Sequence, residues 1–275
     1  MIPANFTYMR AYSLEEAVEA YLQADRADLS AEYYAGGTEI VSYARLQKIE
    51  PDVVIDLKKI PECSLHGEED GSLVFGACLT LNDLVDDGTF PLLSRAAHII
   101  DHTIRNRLTL GGNIAGRLPY RETVLPFLLA DATARIFGPE GSRDVPLAEV
   151  FDKRLKLKRG ELLVQLRVDE AYAAAPWFYG RRTKKGAVDY PVVTGCFLRW
   201  EEALCMALTG VYGFPLRSFK AEEILNDADL SVAERAAQAV EAVSFPIFDD
   251  ERASADYRRM LTEKLIVNAL VELGG

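Results

Sequence analysis

Two pairs of adjacent glycines constrain the fold of this chain more than any other feature. The first pair, Gly36-Gly37, lies between a short predicted strand, residues 32–34, and a predicted helix whose N-cap is Thr38. The second pair, Gly111-Gly112, follows a predicted long helix over residues 92–107. Adjacent glycines accept positive φ angles, so consecutive backbone N–H groups can converge on one anion. Each pair alone favours a tight turn. Two pairs in one α+β region predict loops that hold the two ends of a diphosphate.

Capping patterns mark where several helices begin. Ser13 and Glu16 form a predicted capping box for the first helix, and Ser231 with Glu234 forms another near the end of the chain. Between the two, short β-branched segments alternate with amphipathic ones. The sequence therefore predicts an α+β protein.

The pattern of predicted strands and helices changes after residue 168. Residues 169–176 are an Ala-rich connector, and the region before it, residues 1–168, is the first predicted domain. The second predicted domain, residues 177–275, begins with strands and ends with helices. That order predicts an antiparallel sheet with helices on one face.

The charge of the chain excludes some classes of protein. Its 31 Lys and Arg against 42 Asp and Glu give a net charge of −11. Such a surface repels nucleic-acid phosphates and anionic lipids. The N-terminus shows no secretory signal, and the most apolar stretch, residues 203–214, is too short to span a bilayer. We expect a cytoplasmic protein with no nucleic-acid partner and no membrane insertion.

The cysteines and histidines predict no metal site. The cysteines form no CxxC pattern and are typical of buried reduced thiols. They are Cys63, Cys78, Cys196 and Cys205. His98 and His102 have the spacing of two ligands on one helix face, but no third ligand is evident. A pair on a helix surface is the preferred interpretation.

The segments around both glycine pairs resemble a known family. Ala35-Gly36-Gly37-Thr38-Glu39 resembles the AGGT(D/E) loop of the molybdenum hydroxylase flavoproteins, and residues 104–106 with 109–114 resemble their IRN…TxGGNI loop. Residues 54–57 and 75–80 match the family's IDL and xGAxxT segments. Beyond the connector, Arg182, Lys185 and Asp189-Tyr190 resemble its K…R…DY segment. Each motif alone is weak, but the ordered set covers nearly the whole chain.

This resemblance implies a fold and a cofactor. It implies a two-lobed FAD-binding domain of the p-cresol-methylhydroxylase type, with lobes of roughly residues 1–57 and 58–168, and then a small α+β domain. Both glycine loops would bind the FAD diphosphate, and Tyr190 would lie at the isoalloxazine ring. No catalytic residue and no metal are expected on this chain. The implied cofactor-binding residues are Ala35, Gly36, Gly37, Thr38, Glu39, Ile104, Asn106, Thr109, Gly111, Gly112, Asn113, Glu122, Lys185, Asp189 and Tyr190.

One segment departs from the family pattern. The family has SPxxD after its GGNI motif, with Ser and Asp contacting the FAD, whereas this chain has Leu118 and Glu122 at those positions. Leu118 removes a hydroxyl donor, and Glu122 keeps the carboxylate on a longer side chain. Losing one neutral hydrogen bond costs roughly 0.5–1.5 kcal/mol, so FAD binding is expected to weaken rather than disappear.

The resemblance implies an electron-transfer subunit of an oxidoreductase. Its partners would be an iron–sulfur subunit with 2Fe–2S clusters and a molybdopterin subunit, with NAD as one candidate acceptor. Two alternatives stay open at this point. The first is a scaffold or assembly subunit that has lost FAD, favoured by Leu118. The second is a self-sufficient FAD oxidase, for which the C-terminal region is small.

Overall fold

The structure, a computed structural model, describes residues 3–186 and 189–274. Contacts between Cα atoms divide these residues into two compact units. The first contains the chain up to Leu84, His102–Gly116 and Ala132–Val168. The second contains Val85–Asp101, Arg117–Asp131 and the chain from Asp169 onwards. Two segments that lie early in the sequence therefore belong to the second unit.

The first unit contains two main sheets and a short strand pair. A parallel sheet has the strand order β1-β3-β2, and a five-stranded sheet has the order β4-β5-β10-β6-β7. The strands are β1 (Thr7–Arg10), β2 (Ala31–Tyr34), β3 (Val53–Asp56), β4 (His66–Glu69), β5 (Ser72–Gly76), β6 (Thr133–Gly138), β7 (Gly141–Pro146), β8 (Phe151–Asp152), β9 (Arg154–Leu155) and β10 (Leu162–Asp169).

The helices of the first unit are short apart from the first. They are α1 (Leu14–Arg26), α2 (Thr38–Arg45), α3 (Leu81–Asp87, which ends in the second unit), α5 (His102–Arg105), α6 (Leu110–Ala115) and α8 (Leu147–Val150), with a 3-10 turn at Pro61–Ser64. Helix α1 buries Ala17 and Val18 in one apolar cluster with Ile55 of β3 and Val164 of β10. This cluster joins both sheets and fixes the ends of β2 and β3, from which the first glycine loop departs.

The predicted start of α1 is confirmed, with one difference in its capping bonds. The Ser13 hydroxyl accepts the Glu16 N–H at 3.2 Å. The Glu16 carboxylate accepts the N–H of Tyr12, at 2.8 Å, rather than that of Ser13. At the later site, Ser231 and Glu234 form the complete capping box.

The second unit is built on an antiparallel sheet of order β11-β12-β13-β14. Its strands are β11 (Trp177–Thr183), β12 (Pro191–Trp200), β13 (Ala203–Thr209) and β14 (Leu216–Arg217). Its helices are α4 (Pro91–Ala97), α7 (Val124–Leu129), α9 (Ala171–Ala174), α10 (Phe219–Leu225), α11 (Val232–Glu241) and α12 (Ala255–Glu272). The predicted α+β fold with a C-terminal antiparallel sheet and helices is confirmed.

Helices contact both faces of this sheet. Successive residues of a strand point to opposite faces. On β11, Gly180 packs against Leu265 of α12, whereas the neighbouring Tyr179 ring lies 5.3 Å from the guanidinium carbon of Arg95 on α4. The sequence predicted the helices at the end of the chain but not the packing of α4 on the other face of the sheet. The residues of α4 carry no local pattern that indicates contact with strands about 80 residues further along the chain.

The predicted long helix over residues 92–107 is wrong. The structure has α4 and α5 instead, and Ile100 between them adopts a left-handed backbone with φ of 52°. A β-branched residue in that region ends a helix, although the apolar spacing continues through it. His98 is the C-cap of α4 and His102 begins α5, so the two do not share one helix face.

Candidate functional site

The two glycine segments meet in the first unit. A Cβ atom on Gly36 would lie 1.9 Å from the carbonyl oxygen of Arg107 and 3.4 Å from the backbone nitrogen of Thr109. Only a residue without a side chain allows this approach of two backbones. The structure therefore places Gly36 directly against residues 107–109, the segment that leads into the second glycine pair.

The first glycine pair forms a turn that leads into α2. Gly37 has φ of 68°, a left-handed conformation, and its Cα faces the ring of Tyr34, which a Cβ would strike. Gly37, not Thr38, is the N-cap of α2, so the sequence prediction for Thr38 is wrong by one residue. Within the part of the chain that the structure describes, the backbone N–H groups of Gly36, Gly37 and Thr38 have no acceptor. These donors at the start of a helix suit a phosphate.

The second glycine pair is not a turn. Gly111 and Gly112 lie in the first turn of α6, whose N-cap Thr109 accepts the Gly112 N–H at 3.3 Å. Gly111 donates to the carbonyl of Ala77 at 2.8 Å, and a Cβ on Gly111 would lie 2.7 Å from the Ala77 side chain. Asn113 donates its N–H to the Thr109 carbonyl. These N–H groups have acceptors within the protein, so this segment supports the first loop.

Asn82 connects the IRN segment to α3. Its side-chain amide donates to the His102 carbonyl at 3.0 Å and to the Asn106 side chain at 2.6 Å, and its oxygen accepts from Arg105 Nε at 2.8 Å. Asn82 and Arg105 are buried, while Ile104 is 40% exposed. This network fixes the short helix α5 and leaves Ile104 at the surface.

Lys185, Asp189 and Tyr190 lie in the second unit. The Tyr190 ring stacks on Tyr120, with ring centroids 5.1 Å apart, and lies 4.9 Å from the guanidinium carbon of Arg252. Arg252 also pairs with the Asp189 carboxylate at 2.8 Å. Tyr190 remains 41% exposed, so its position is fixed while part of its ring is open.

A polar cavity of about 440 Å³ adjoins this group. Its lining residues are Lys184, Lys185, Asp189, Asp250, Glu251 and Arg252. Lys184 donates to the carbonyl of Glu251 at 2.7 Å.

Glu122 occupies a different environment from the one that the resemblance implied. It is 1% exposed, and its Oε1 lies 3.5 Å from Arg181 Nε. Burial raises the pKa of Glu122, which outweighs the opposing effect of Arg181. Its second oxygen and the hydroxyls of Tyr179 and Thr194 are buried without a partner among the described residues. In this structure Glu122 has almost no surface to offer a ribose, because protein atoms cover its carboxylate.

Several residues of these groups carry no sequence signal. Asn82, Tyr120 and Arg252 belong to no motif and act through partners that are distant in the chain. Lys58 directly follows the IDL segment, and its Nζ donates to the Ala35 carbonyl at 3.1 Å. Its position next to a recognised motif is the one feature that could have drawn attention to it.

Residues 3–186 and 189–274 contain neither a cluster of metal ligands nor a membrane-spanning helix. No group of three or more His, Cys, Asp and Glu side chains is arranged to hold a metal ion. No helix there is both long and apolar enough to cross a membrane.

Comparison with known proteins assigns both parts of the chain. Residues 4–169 match the family described as the FAD binding domain in molybdopterin dehydrogenase. Residues 181–273 match the CO dehydrogenase flavoprotein C-terminal domain. The carbon monoxide dehydrogenase medium chain of Hydrogenophaga pseudoflava is 30% identical, over 98% of this chain and 97% of that one.

A second relative and a solved structure agree. The xanthine dehydrogenase FAD-binding subunit of Escherichia coli O157:H7 is 28% identical over 98% of this chain and 97% of its own length. A solved structure of the Hydrogenophaga pseudoflava carbon monoxide dehydrogenase that lacks the Mo-pyranopterin moiety superimposes with a TM-score of 0.87 at 29% identity. It covers 98% of both chains. The chain therefore belongs to the family of FAD-binding subunits of the molybdopterin dehydrogenases, a family of oxidoreductases to which the carbon monoxide and xanthine dehydrogenases belong.

Proposed function

We propose that this chain transfers electrons through FAD, from 2Fe–2S clusters on a partner subunit to an acceptor such as NAD. The complex would also contain a molybdopterin subunit, where substrate is hydroxylated. The observation that carries the proposal is the first glycine loop, whose three N–H groups without an acceptor lie beside the second glycine segment. The names of two relatives support the role of an FAD-carrying subunit in a larger dehydrogenase, because one is a medium chain and the other an FAD-binding subunit.

Within this proposal, residues 35–39 bind the FAD diphosphate. The amides of Gly36 and Gly37 and the start of α2 would donate to phosphate oxygens. The other proposed contacts in the first unit come from Ile104, Asn106, Thr109, Gly111, Gly112 and Asn113. A diphosphate fits here because the N–H groups of residues 36–38 without an acceptor lie where the Gly36 backbone closely approaches that of Arg107.

We also propose that residues of the second unit contact the isoalloxazine ring of FAD. Tyr190 would cover the ring with its exposed face, and Lys185 and Asp189 would border it. We propose an indirect role for Glu122, which would hold Arg181 from the interior. The corresponding domains are residues 1–168 for FAD binding and 177–275 for the C-terminal part.

Bound FAD supplies the chemistry by accepting and donating one or two electrons. The protein's own residues would bind the diphosphate, and Tyr120 and Arg252 hold the Tyr190 ring in position. No side chain is assigned to proton transfer.

The proposal is tested by purifying the full chain and recording its absorbance spectrum. We expect flavin bands and about one FAD per chain after extraction. Mixing with the reduced iron–sulfur subunit should bleach the bands, and addition of NAD should restore them. A chain that binds added FAD but is not reduced by that partner would contradict the electron-transfer role.

A scaffold subunit without FAD is the second candidate. Leu118 in place of the family's Ser and the burial of Glu122 favour it, because both remove expected contacts. A colourless chain that takes up no FAD, alone or with its partners, would establish it. Oxidation of an alcohol or a phenol by the isolated chain would instead support a self-sufficient oxidase.

A further inference from the structure

A buried carboxylate and a lysine hold the start of the first glycine loop. Lys58 donates from Nζ to the Asp56 carboxylate at 2.7 Å and to the Ala35 carbonyl at 3.1 Å. Its ammonium also lies 4.3 Å from the centre of the Tyr34 ring. Asp56 is 2% exposed and accepts a second hydrogen bond from the hydroxyl of Tyr8. Tyr34 and Asp56 are the last residues of β2 and β3, and Tyr8 lies in the neighbouring strand β1.

The contact between Lys58 and the Ala35 carbonyl also affects the N–H group of Gly36. The Ala35 carbonyl and the Gly36 N–H belong to one planar trans peptide, in which the two groups point in opposite directions. A donor that holds the carbonyl therefore also fixes the direction of the N–H. Gly36 has no side chain to restrict φ, so the Lys58 contact adds to the restraint that the Arg107 backbone imposes.

We infer that Lys58 is a positioning residue for the FAD diphosphate, acting through the peptide between Ala35 and Gly36. This inference rests on the proposed function of the same loop. An ammonium has three N–H donors, and two of them are used by Ala35 and Asp56. The Lys58 side chain is 43% exposed, so its charge also favours an anion beside the loop.

Asp56 keeps the lysine in place. Burial alone would raise the pKa of Asp56, but hydrogen bonds from Lys58 and Tyr8 hold it below its usual range. Asp56 is therefore ionised at neutral pH and attracts the Lys58 ammonium. A flexible lysine side chain is thereby held in one arrangement before any ligand binds, which lowers the entropic cost of binding.

The test compares four forms of the full chain after removal of FAD: wild type, Lys58→Met, Lys58→Arg and Lys59→Met. Lys59 is the matched control, because it is exposed, adjacent and has no partner among the described residues. The dissociation constant of added FAD is measured by quenching of flavin fluorescence, and thermal unfolding without FAD checks that each form is folded. If Lys58→Met does not fold, it is replaced by the double variant Asp56→Asn/Lys58→Met, which leaves no buried carboxylate without its partner.

We expect Lys58→Met to weaken FAD binding about tenfold. Lys58→Arg should restore binding to within about threefold of wild type, because the guanidinium retains both charge and donors. Lys59→Met should bind like wild type. Equal affinities of Lys58→Met and Lys59→Met would overturn the inference. So would an arginine variant as weak as the methionine variant, because packing would then explain the loss. A wild-type chain that binds no FAD would reject the proposed function, and this inference with it.

Discussion

Gly36 leaves no room for a side chain, because the Arg107 carbonyl oxygen occupies the place of a Cβ. We expect Gly36→Ala to lower the free energy of unfolding by roughly 2 kcal/mol, since the backbone of one segment must move. FAD affinity should fall with it, because the same movement turns the loop donors. Chemical denaturation and FAD titration measure the two effects.

Gly213→Ala is the control for that substitution. Nothing lies within 4 Å of a Cβ at Gly213. Its free energy of unfolding should stay within about 0.5 kcal/mol of wild type. Equal losses in the two variants would show that the close approach at Gly36 does not determine stability.

The buried carboxyl of Glu122 should make stability depend on pH. Burial raises its pKa, so the folded state binds the proton more tightly than the unfolded state does. Wild type therefore loses stability as pH rises from the ordinary carboxyl pKa, about 4, to the raised value. A glutamine does not titrate. The Tm difference, Glu122→Gln minus wild type, should therefore become more positive by at least about 2 °C from pH 5 to pH 8.

An exposed glutamate separates this effect from general charge removal. Glu223 is exposed on α10. Glu223→Gln should give a Tm difference from wild type that does not change with pH. A Glu122→Gln profile as flat as this one would contradict a raised pKa at Glu122.

The sequence located the glycine loops, but it did not show why each position requires a glycine. Both pairs looked alike in the sequence. Gly37 is needed for its left-handed φ, whereas Gly111 sits in a helix and is needed because Ala77 is close. That difference depends on a neighbour far along the chain, which local sequence does not encode.

At the level of single elements, capping patterns were the most informative signal. The boxes at Ser13 and Ser231 located the starts of α1 and α11 because they act within one turn. Apolar periodicity failed over residues 92–107, where the helix is interrupted between Ala97 and His102 by a stretch that includes left-handed Ile100, while the spacing of apolar side chains continues.

Helix α5 depends on one side chain outside it. Asn82 makes three hydrogen bonds to His102, Arg105 and Asn106 and is 4% exposed. We expect Asn82→Ala to cost about 2 kcal/mol, because buried polar groups lose their partner. Hydrogen exchange should accelerate in residues 102–109. Asn268→Ala, at an exposed position on α12, should change stability by less than about 0.5 kcal/mol. Unchanged exchange in Asn82→Ala would contradict this role.

At the scale of the whole molecule, the two compact units are not continuous in the sequence. The sequence suggested one division near residue 168, whereas Val85–Asp101 and Arg117–Asp131 make their contacts within the second unit. Local sequence patterns cannot show which unit these two segments join, because the contacts that decide it are with residues far away in the chain. The class of fold was still predictable, since each part has its own rhythm of strands and helices.

The composition of the whole chain also predicts its metal content. All four cysteines are buried, and the described residues offer no cluster of metal ligands. We expect the purified chain to contain about one FAD and no stoichiometric iron by elemental analysis. Iron should appear only when the iron–sulfur partner is purified with it. Stoichiometric iron in the isolated chain would contradict the proposed division of cofactors.

The contact between Gly36 and Arg107 also sets an order of events during biosynthesis. The loop donors depend on a contact between two distant stretches of chain, and we expect this contact to form late in folding because it closes a long loop. FAD therefore has no complete binding site on a nascent or half-folded chain. Cofactor loading follows folding, and its effect is to trap the folded subunit by mass action. Supplying riboflavin to an expression host should consequently raise the lifetime of this protein rather than its rate of folding.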